Sequence, residues 1–329
     1  MSVNCEKITL NDVCTFFKEH DNYLVLTHAS PDGDTLGSAY ALKFGLKKAG
    51  KKVRVICGDE IPEKYGYFID GEDFSFEPET VISVDVADAK LLGSIRHDYE
   101  EKIDLNIDHH ISNTEYAKRL YLDATASATA ECIYEILVQM GIEFDLNIAN
   151  ALYTGISTDT GCFRYANVTN RTHKIAAELY NFGIDAAEIN RKMFETKSKS
   201  RVELEMMVLS KAEFHFGNRC MVLSVTDKMQ RKTGCTQSDL EGVAAMSRSV
   251  DGVLAGVAIK QSEKNKFKIS LRTYPPLDAS SICRKLGGGG HMAAAGCAVD
   301  GTLRQAKAKI LKAVKEALEE SDAGSYIIK

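Results

Sequence analysis

Three short apolar runs near the start of the chain each stop on an acidic or imidazole side chain: 23-YLVLTHASPDGD-34, 81-VISVDVAD-88 and 103-IDLNIDHH-110. Short runs rich in Val, Leu and Ile, with 52-KVRVIC-57 beside them, read as strands buried on both faces. Helical spacing fills several of the intervals. Leu36, Ala39, Tyr40, Phe44 and Leu46 mark a helix over 35–49 that stops at Gly50, and 127–160 reads as two helices broken near Gly141. Further helices are expected over about 170–182 and 185–195. Strands alternating with helices predict an α/β domain with a largely parallel sheet. Ligands bind such sheets beyond the carboxyl ends of the strands, where these polar residues fall.

The second part of the chain has a different rhythm. The segments 219-RCMVLSVT-226, 252-GVLAGVAIK-260 and 266-KFKISLRTY-274 alternate as strands do, and helical stretches follow at 278–286 and 302–320. They predict a smaller α+β domain with its own sheet. The stretch 196-TKSKSRVELEMMVLSKAE-213, charged and then helical, reads as the connection. The expected organisation is a first domain over 1–190, a linker over 191–210 and a second domain over 211–329, which suits a chain of 329 residues.

Several classes of protein are disfavoured. No apolar run approaches the roughly 18 residues of a membrane span, and MSVNCEKITLNDVCTFF lacks the pattern of a secretory signal, so a cytoplasmic protein is expected. Nine scattered cysteines contain no CxxC pair and read as reduced, mostly buried thiols rather than a zinc site. With a net charge of −5 and no basic block beyond 47-KKAGKKVR-54, the chain suits a small anionic substrate better than a long duplex.

Within 28-HASPDGD-34, Pro31 blocks early helix and Gly33 permits a tight backbone, which puts Asp32 and Asp34 on a turn. Either aspartate can cap the following helix, but that leaves His28 and the second aspartate unexplained. Asp85 ends the next strand, with Asp88 as a helix cap. At 108-DHH-110 adjacent histidines in extended chain point to opposite sides. One of His109 and His110 can then be a metal ligand and the other can face substrate, with Asp108 orienting a ring, unless the tripeptide is only a surface turn. Asp159 sits after an apolar helix in a Thr/Gly-rich break. So many carboxylates on one sheet edge repel unless cations neutralise them, and a mixed oxygen and imidazole set suits Mn²⁺ or Mg²⁺.

His28, Asp32 and Asp34, then Asp85, then Asp108, His109 and His110, then Asp159 resemble the four motifs of the DHH phosphoesterase superfamily. The segment 267-FKISLRTYPPLDASSICRKLGGGGHMAAAGCAV-299 resembles its DHHA1 substrate-binding domain. The two-domain layout most resembles the NrnA-like group of bifunctional oligoribonucleases and 3′-phosphoadenosine-5′-phosphate phosphatases. The resemblance implies two Mn²⁺ ions, with Mg²⁺ as the alternative. His28 and Asp32 would hold the first, Asp34, His109 and Asp159 the second, and Asp85 both, while His110 would face the scissile phosphate. Gly288, Gly289, Gly290, His291, Arg272 and Arg248 would receive the substrate, the glycines by opening the backbone to an anion and the arginines by pairing with phosphate. The implied reactions are hydrolysis of short oligoribonucleotides to mononucleotides and of 3′-phosphoadenosine-5′-phosphate to AMP. A cyclic-di-AMP or pApA phosphodiesterase and a nucleotide sensor without turnover stay open as alternatives. The expected partners are short RNA and small nucleotides, with no long duplex and no membrane; a homodimer is left open.

Overall fold

The computed structural model describes residues 5–236, 238–240 and 242–325. The chain divides into two compact units between Thr196 and Lys197.

In the first unit β1 (Glu6–Lys7), α1 (Leu10–Glu19), β2 (Tyr23–Leu26), α2 (Gly33–Lys48), β3 (Val53–Ile56), β4 (Thr80–Val84) and α3 (Arg96–Tyr99) come first. Then follow β5 (Leu105–Asp108), β6 (Arg119–Leu122), α4 (Thr129–Gln139), α5 (Leu146–Asp159), α6 (Asn170–Leu179) and α7 (Ala186–Asn190). The strands pair in the order β1-β6-β5-β4-β2-β3, and every neighbouring pair is parallel. The chain leaves β2 for β3 on one side and comes back to β4 on the other, so the strand order reverses between β2 and β4. A reversal of this kind opens a crevice at the carboxyl ends of the strands.

The sheet is covered unequally. Tyr23 and Val25 of β2 and Ile82 and Val84 of β4 pack into a large cluster with α1, α2, α4 and α5. Leu24, Leu26 and Val81 face a smaller cluster that includes Leu92. Helix α2 is buried from Gly33 to Leu46, with α5 against it. Gly33 does not adopt a left-handed conformation. It is the first residue of α2, and its lack of a side chain serves packing: a Cβ there would lie 2.3 Å from Thr158 Oγ1. A Cβ on Gly37 would lie 2.4 Å from the Ala151 carbonyl oxygen, so the two helix backbones touch at that point. Asp34 is therefore in the first turn of α2 and not on the preceding turn.

In the second unit α8 (Lys199–Leu209), β7 (Glu213–His215), β8 (Cys220–Val225), α9 (Asp227–Thr233), α10 (Val243–Met246) and β9 (Ala255–Glu263) come first. After them lie β10 (Lys266–Thr273), α11 (Ala279–Arg284), β11 (Gly289–Gly290), β12 (Ala294–Asp300) and α12 (Leu303–Ser325). Its sheet has the order β11-β12-β10-β9-β8-β7 and is antiparallel except for β8 beside β9. Both faces are covered. Cys220 and Val222 pack with Ile310 and Val314 of α12, and the alternate residues Met221, Leu223 and Val225 pack with Leu204 and Val208 of α8. The segment expected as a connection thus carries a core helix, because Leu204 and Val208 are fully buried between charged neighbours. No helix among the described residues is long and apolar enough to cross a membrane. All nine cysteines are free thiols, and Cys14, Cys132, Cys220, Cys283 and Cys297 are buried.

Overpacking a helix contact of this kind costs about 1–3 kcal/mol. Gly37→Ala is expected to lower unfolding free energy in urea by at least that much, whereas Gly71→Ala, where a Cβ meets nothing within 4 Å, should change little. Equal effects from the two would show that the α2–α5 contact is looser than described.

Candidate metal centre

Each expected ligand of the first unit reaches the crevice by a local device. His28 follows β2, and its Nδ1–H donates to the Ala29 carbonyl at 2.9 Å, which leaves Nε2 as the inward nitrogen. His109 donates from Nδ1 to the Ala126 carbonyl at 3.1 Å and also presents Nε2. Asp32 is the N-cap of α2, accepting from Asp34 N at 3.0 Å and Thr35 N at 3.1 Å. The capping role and the ligand role fall on one side chain, since the same Oδ1 lies 3.6 Å from His28 Nε2. Asp159 is the last residue of α5. Asp85 follows β4 with φ of 59°, a left-handed conformation that costs a non-glycine residue some strain and is best tolerated by Asp and Asn.

Two triads result. His28, Asp32 and Asp85 form one; Asp34, His109 and Asp159 form the other; within each, the donor atoms lie within 4.8 Å of one another. Asp85 stands between them. Its Oδ2 is 3.7 Å from His28 Nε2, and its Oδ1 is 3.7 Å from His109 Nε2. His109 Nε2 is 3.9 Å from Asp34 Oδ2 and 3.6 Å from Asp159 Oδ2. These separations are too long for hydrogen bonds and are those of donors that could share an ion. A third grouping joins Asp85, His109 and His110.

Electrostatics point the same way. Burial, with the charges of Asp34, Asp32, Asp108 and Asp159 around it, pushes the Asp85 carboxyl far above the usual carboxylate range. Burial also raises Asp34. Asp159 is pushed up to about 7 by burial and by the neighbouring Asp34. Oxygen and imidazole donors that repel one another in a buried crevice fit a hard or borderline divalent cation.

The Asp108 carboxylate belongs to neither triad and is fully buried. Its Oδ1 accepts from His109 N at 2.8 Å, His110 N at 3.2 Å and His110 Nδ1 at 2.8 Å, and its Oδ2 accepts from Asn113 Nδ2 at 2.6 Å. Burial opposes its charge, but the bonds from His110 and Asn113 hold its carboxyl below the usual range. These bonds also curl the chain after β5. His109 and His110 consequently do not point to opposite sides as extended residues would: their rings lie edge to face, 4.5 Å between centroids.

Comparison with known proteins places this arrangement. Residues 22–156 match the model of the DHH family, N-terminal domain, and residues 217–320 match the DHHA1 domain. The chain is 32% identical over 302 residues to the bifunctional oligoribonuclease and PAP phosphatase NrnA of Thermus thermophilus, covering 89% of each chain. It is 27% identical to the protein of the same name from Bacillus subtilis, covering 85% of this chain and 90% of that one. A crystal structure of an exopolyphosphatase-related protein from Bacteroides fragilis superposes with a TM-score of 0.84 at 25% identity, covering 94% of this chain and 95% of the other. The chain belongs to the DHH/DHHA1 phosphoesterase family. It is a hydrolase.

The second unit gathers the expected substrate residues at one end of its sheet. Arg272 on β10 lies opposite Gly256 on β9 and Ala294 on β12. The carbonyl of Ala294 accepts from His291 N at 2.8 Å. Arg248 lies with its guanidinium carbon 5.0 Å from the ring centre of the half-exposed Tyr274, two residues beyond Arg272. The glycine run is an edge strand and not a linker. Gly287 and Gly290 have φ of 75° and 143°, a Cβ on Gly288 would meet the Gly296 oxygen at 2.1 Å, and Gly289 is open and exposed. His291 is exposed.

Sequence reading missed Thr129, Asn113 and Ala126. Thr129 N donates to Asp34 Oδ2 at 2.7 Å and Ala130 N to Asp34 Oδ1 at 2.9 Å, so Asp34 caps α4 from another helix. The Thr129 hydroxyl donates to Asp85 Oδ1 at 2.8 Å. The one local hint was that 126-ASAT-129 offers Ala128 as N-cap, a residue that cannot cap.

The raised carboxyls give a pH prediction for protein freed of divalent ions. The folded chain holds protons on Asp34, Asp85 and Asp159 that the unfolded chain, with ordinary values near 3.8, has already released. Stability is therefore expected to fall as pH rises from about 5 through about 7. His28 and His110 act in the same direction, since both have raised values: burial lowers them, but the combined bonds and carboxylate charges around each outweigh it. Saturating Mn²⁺ should raise the melting temperature and remove most of this slope, because the cation takes the place of the protons. Thermal scans in chelator and in Mn²⁺ across that range check it; identical slopes in both would count against a cation site.

Proposed function

We propose that this chain is a two-metal phosphoesterase that degrades short oligoribonucleotides to mononucleotides and converts 3′-phosphoadenosine-5′-phosphate to AMP. The observation that carries the reading is the Asp85 carboxylate, with one oxygen toward His28 and the other toward His109. His28 and Asp32 would hold one cation, Asp34, His109 and Asp159 the other, and Asp85 both. Mn²⁺ suits this donor set, with Mg²⁺ as the alternative. Two such cations held there would neutralise phosphoryl oxygens and would supply a water acidic enough to act as a nucleophile near neutral pH.

The chain's own side chains do the rest. Asp108 ties down Nδ1 of His110, so that Nε2 is free to donate to a phosphoryl or leaving-group oxygen. Against burial, the Asp108 bond together with the charges of Asp108, Asp34 and Asp159 raises the pKa of His110, which keeps that donor protonated to higher pH. In the second unit Arg272 and Arg248 would grip phosphate or base, and the exposed backbone of Gly288, Gly289 and Gly290 beside His291 would admit an anion. Short substrates fit the net charge of −5, which disfavours a long polyanion. The names borne by the Thermus and Bacillus relatives support the same two substrates.

The deciding experiment offers purified protein labelled RNA of two to five nucleotides, 3′-phosphoadenosine-5′-phosphate, pApA and cyclic-di-AMP, each with Mn²⁺ and with Mg²⁺. Mononucleotides from the RNA and AMP from the phosphoadenosine substrate are expected; folded, metal-loaded protein that yields neither sinks the proposal. Among variants, Asp85→Ala should cut kcat more than about 100-fold, beyond the usual cost of losing a supporting residue. Arg272→Ala should raise KM by about 10- to 100-fold, the loss of a charge-assisted hydrogen bond, and leave kcat within a few-fold. Near-normal turnover by Asp85→Ala would refute the bridging role.

A further inference from the structure

One residue touches a buried carboxylate of each triad, Asp85 of the first and Asp34 of the second. Thr129 opens α4, and its side chain is fully buried. Its backbone N–H goes to Asp34 and its hydroxyl to Asp85 Oδ1. We infer that Thr129 is a positioning residue that fixes the Asp85 carboxylate in the one orientation serving both triads, an inference that rests on the two-metal reading above.

A carboxylate turns readily about its last side-chain bond, since that torsion has only broad preferences. For Asp85 the turn decides everything. Oδ1 must face His109 and His110, at 3.7 and 3.6 Å, while Oδ2 faces His28 at 3.7 Å. Among the described residues, the Thr129 hydroxyl is the hydrogen-bond donor that holds Asp85 in this attitude. The chain just before the donor is anchored at Ser127. Asn167 Nδ2 donates to the Ser127 carbonyl at 2.9 Å, Thr172 Oγ1 donates to Ser127 Oγ at 3.1 Å, and Ser127 donates to the fully buried Glu131. The hydroxyl and the backbone N–H also have separable duties. Capping of α4 by Asp34 uses main-chain N–H groups alone, so it survives loss of the hydroxyl. Without the hydroxyl each triad keeps its other donors, but Asp85 no longer faces both.

The test compares Thr129→Val, which keeps shape and N–H, with Thr129→Ser, which keeps the hydroxyl. Mn²⁺ binding is followed by calorimetry, and the magnetic coupling of a manganese pair by electron paramagnetic resonance. Wild type and Thr129→Ser should bind two ions with a coupled signal. Thr129→Val should bind the second ion about 10- to 100-fold more weakly, the usual cost of losing such a supporting partner. It should also lose the coupled signal and show kcat reduced by a similar factor at unchanged KM. If Thr129→Val fails to fold, Thr129→Ala, which also keeps the N–H, carries the same expectations. Two ions bound with coupling intact in a hydroxyl-free variant would overturn the positioning role alone. Fewer than two ions in the wild type would overturn both it and the two-metal reading.

Discussion

The centre depends first on how closely α2 and α5 approach. Gly33 lies against Thr158, Gly37 against Ala151 and Gly155, and Gly155 in turn against Ala130 and Asp34. Glycine in a helix costs about 1 kcal/mol relative to alanine, so three of them in two neighbouring helices must be offset by what they allow. They allow backbone contact. That contact brings the first turn of α2, with Asp34, to the last turn of α5, with Asp159. It also seats Asp34 beneath the N-terminus of α4, where two N–H groups and the positive end of the helix dipole favour its charge. A side chain at Gly37 would push the helices apart and separate ligands that no local sequence relation connects.

Held that close, the carboxylates oppose one another. The protein treats them differently. Asp108 and Asp32 receive enough hydrogen bonds, against burial, to sit below the usual carboxylate range, whereas Asp34, Asp85 and Asp159 sit above it. The first pair are the scaffold: Asp108 orders the turn that carries two histidines, and Asp32 starts α2. The other three carry the electrostatic cost, Asp34 and Asp159 in the second triad and Asp85 in the first. A site that is unfavourable without a cation is a reservoir of binding energy for one, obtained at the cost of stability in its absence.

Much of this could be read in the sequence. Apolar runs ending in His28, Asp85 and Asp108 located strand ends, and strand ends in a parallel sheet locate a crevice. The parts that could not be read share a cause: they depend on distant partners. Strands β6 and β12 were hidden because 119-RLYL-122 is only four residues long and 294-AAGCAVD-300 is built mostly of small residues, and they become strands by pairing with β5 and β10. Helix α8 read as a charged connector because only Leu204, Val208 and the half-polar face beside them meet the second sheet. The pair His109 and His110 was expected to diverge on the rule for extended chain, but Asp108 bonds to both of their N–H groups and ends the strand there. Gly33 was expected to bend the backbone and instead makes room for Thr158.

The same dependence explains why Asp85 is left-handed. In a strand, successive side chains alternate between faces. Ile82 and Val84 lie in the cluster beneath α2 and α4, so a regular continuation would send residue 85 to the opposite face and residue 86 back beneath those helices. The chain does the reverse. Val86 packs with Val81 and Leu92 in the smaller cluster, and Asp85 reaches Thr129 at the start of α4. A single residue at φ of 59° exchanges the two faces. The strain is tolerable because Asp85 N still donates to the Ile107 carbonyl at 2.9 Å, which keeps β4 tied to β5 up to the break. Glycine would take that conformation with less strain but would bring no oxygen, and a β-branched residue would resist it. Aspartate satisfies both the backbone and the crevice, and only if something 44 residues along the chain holds its carboxylate in place.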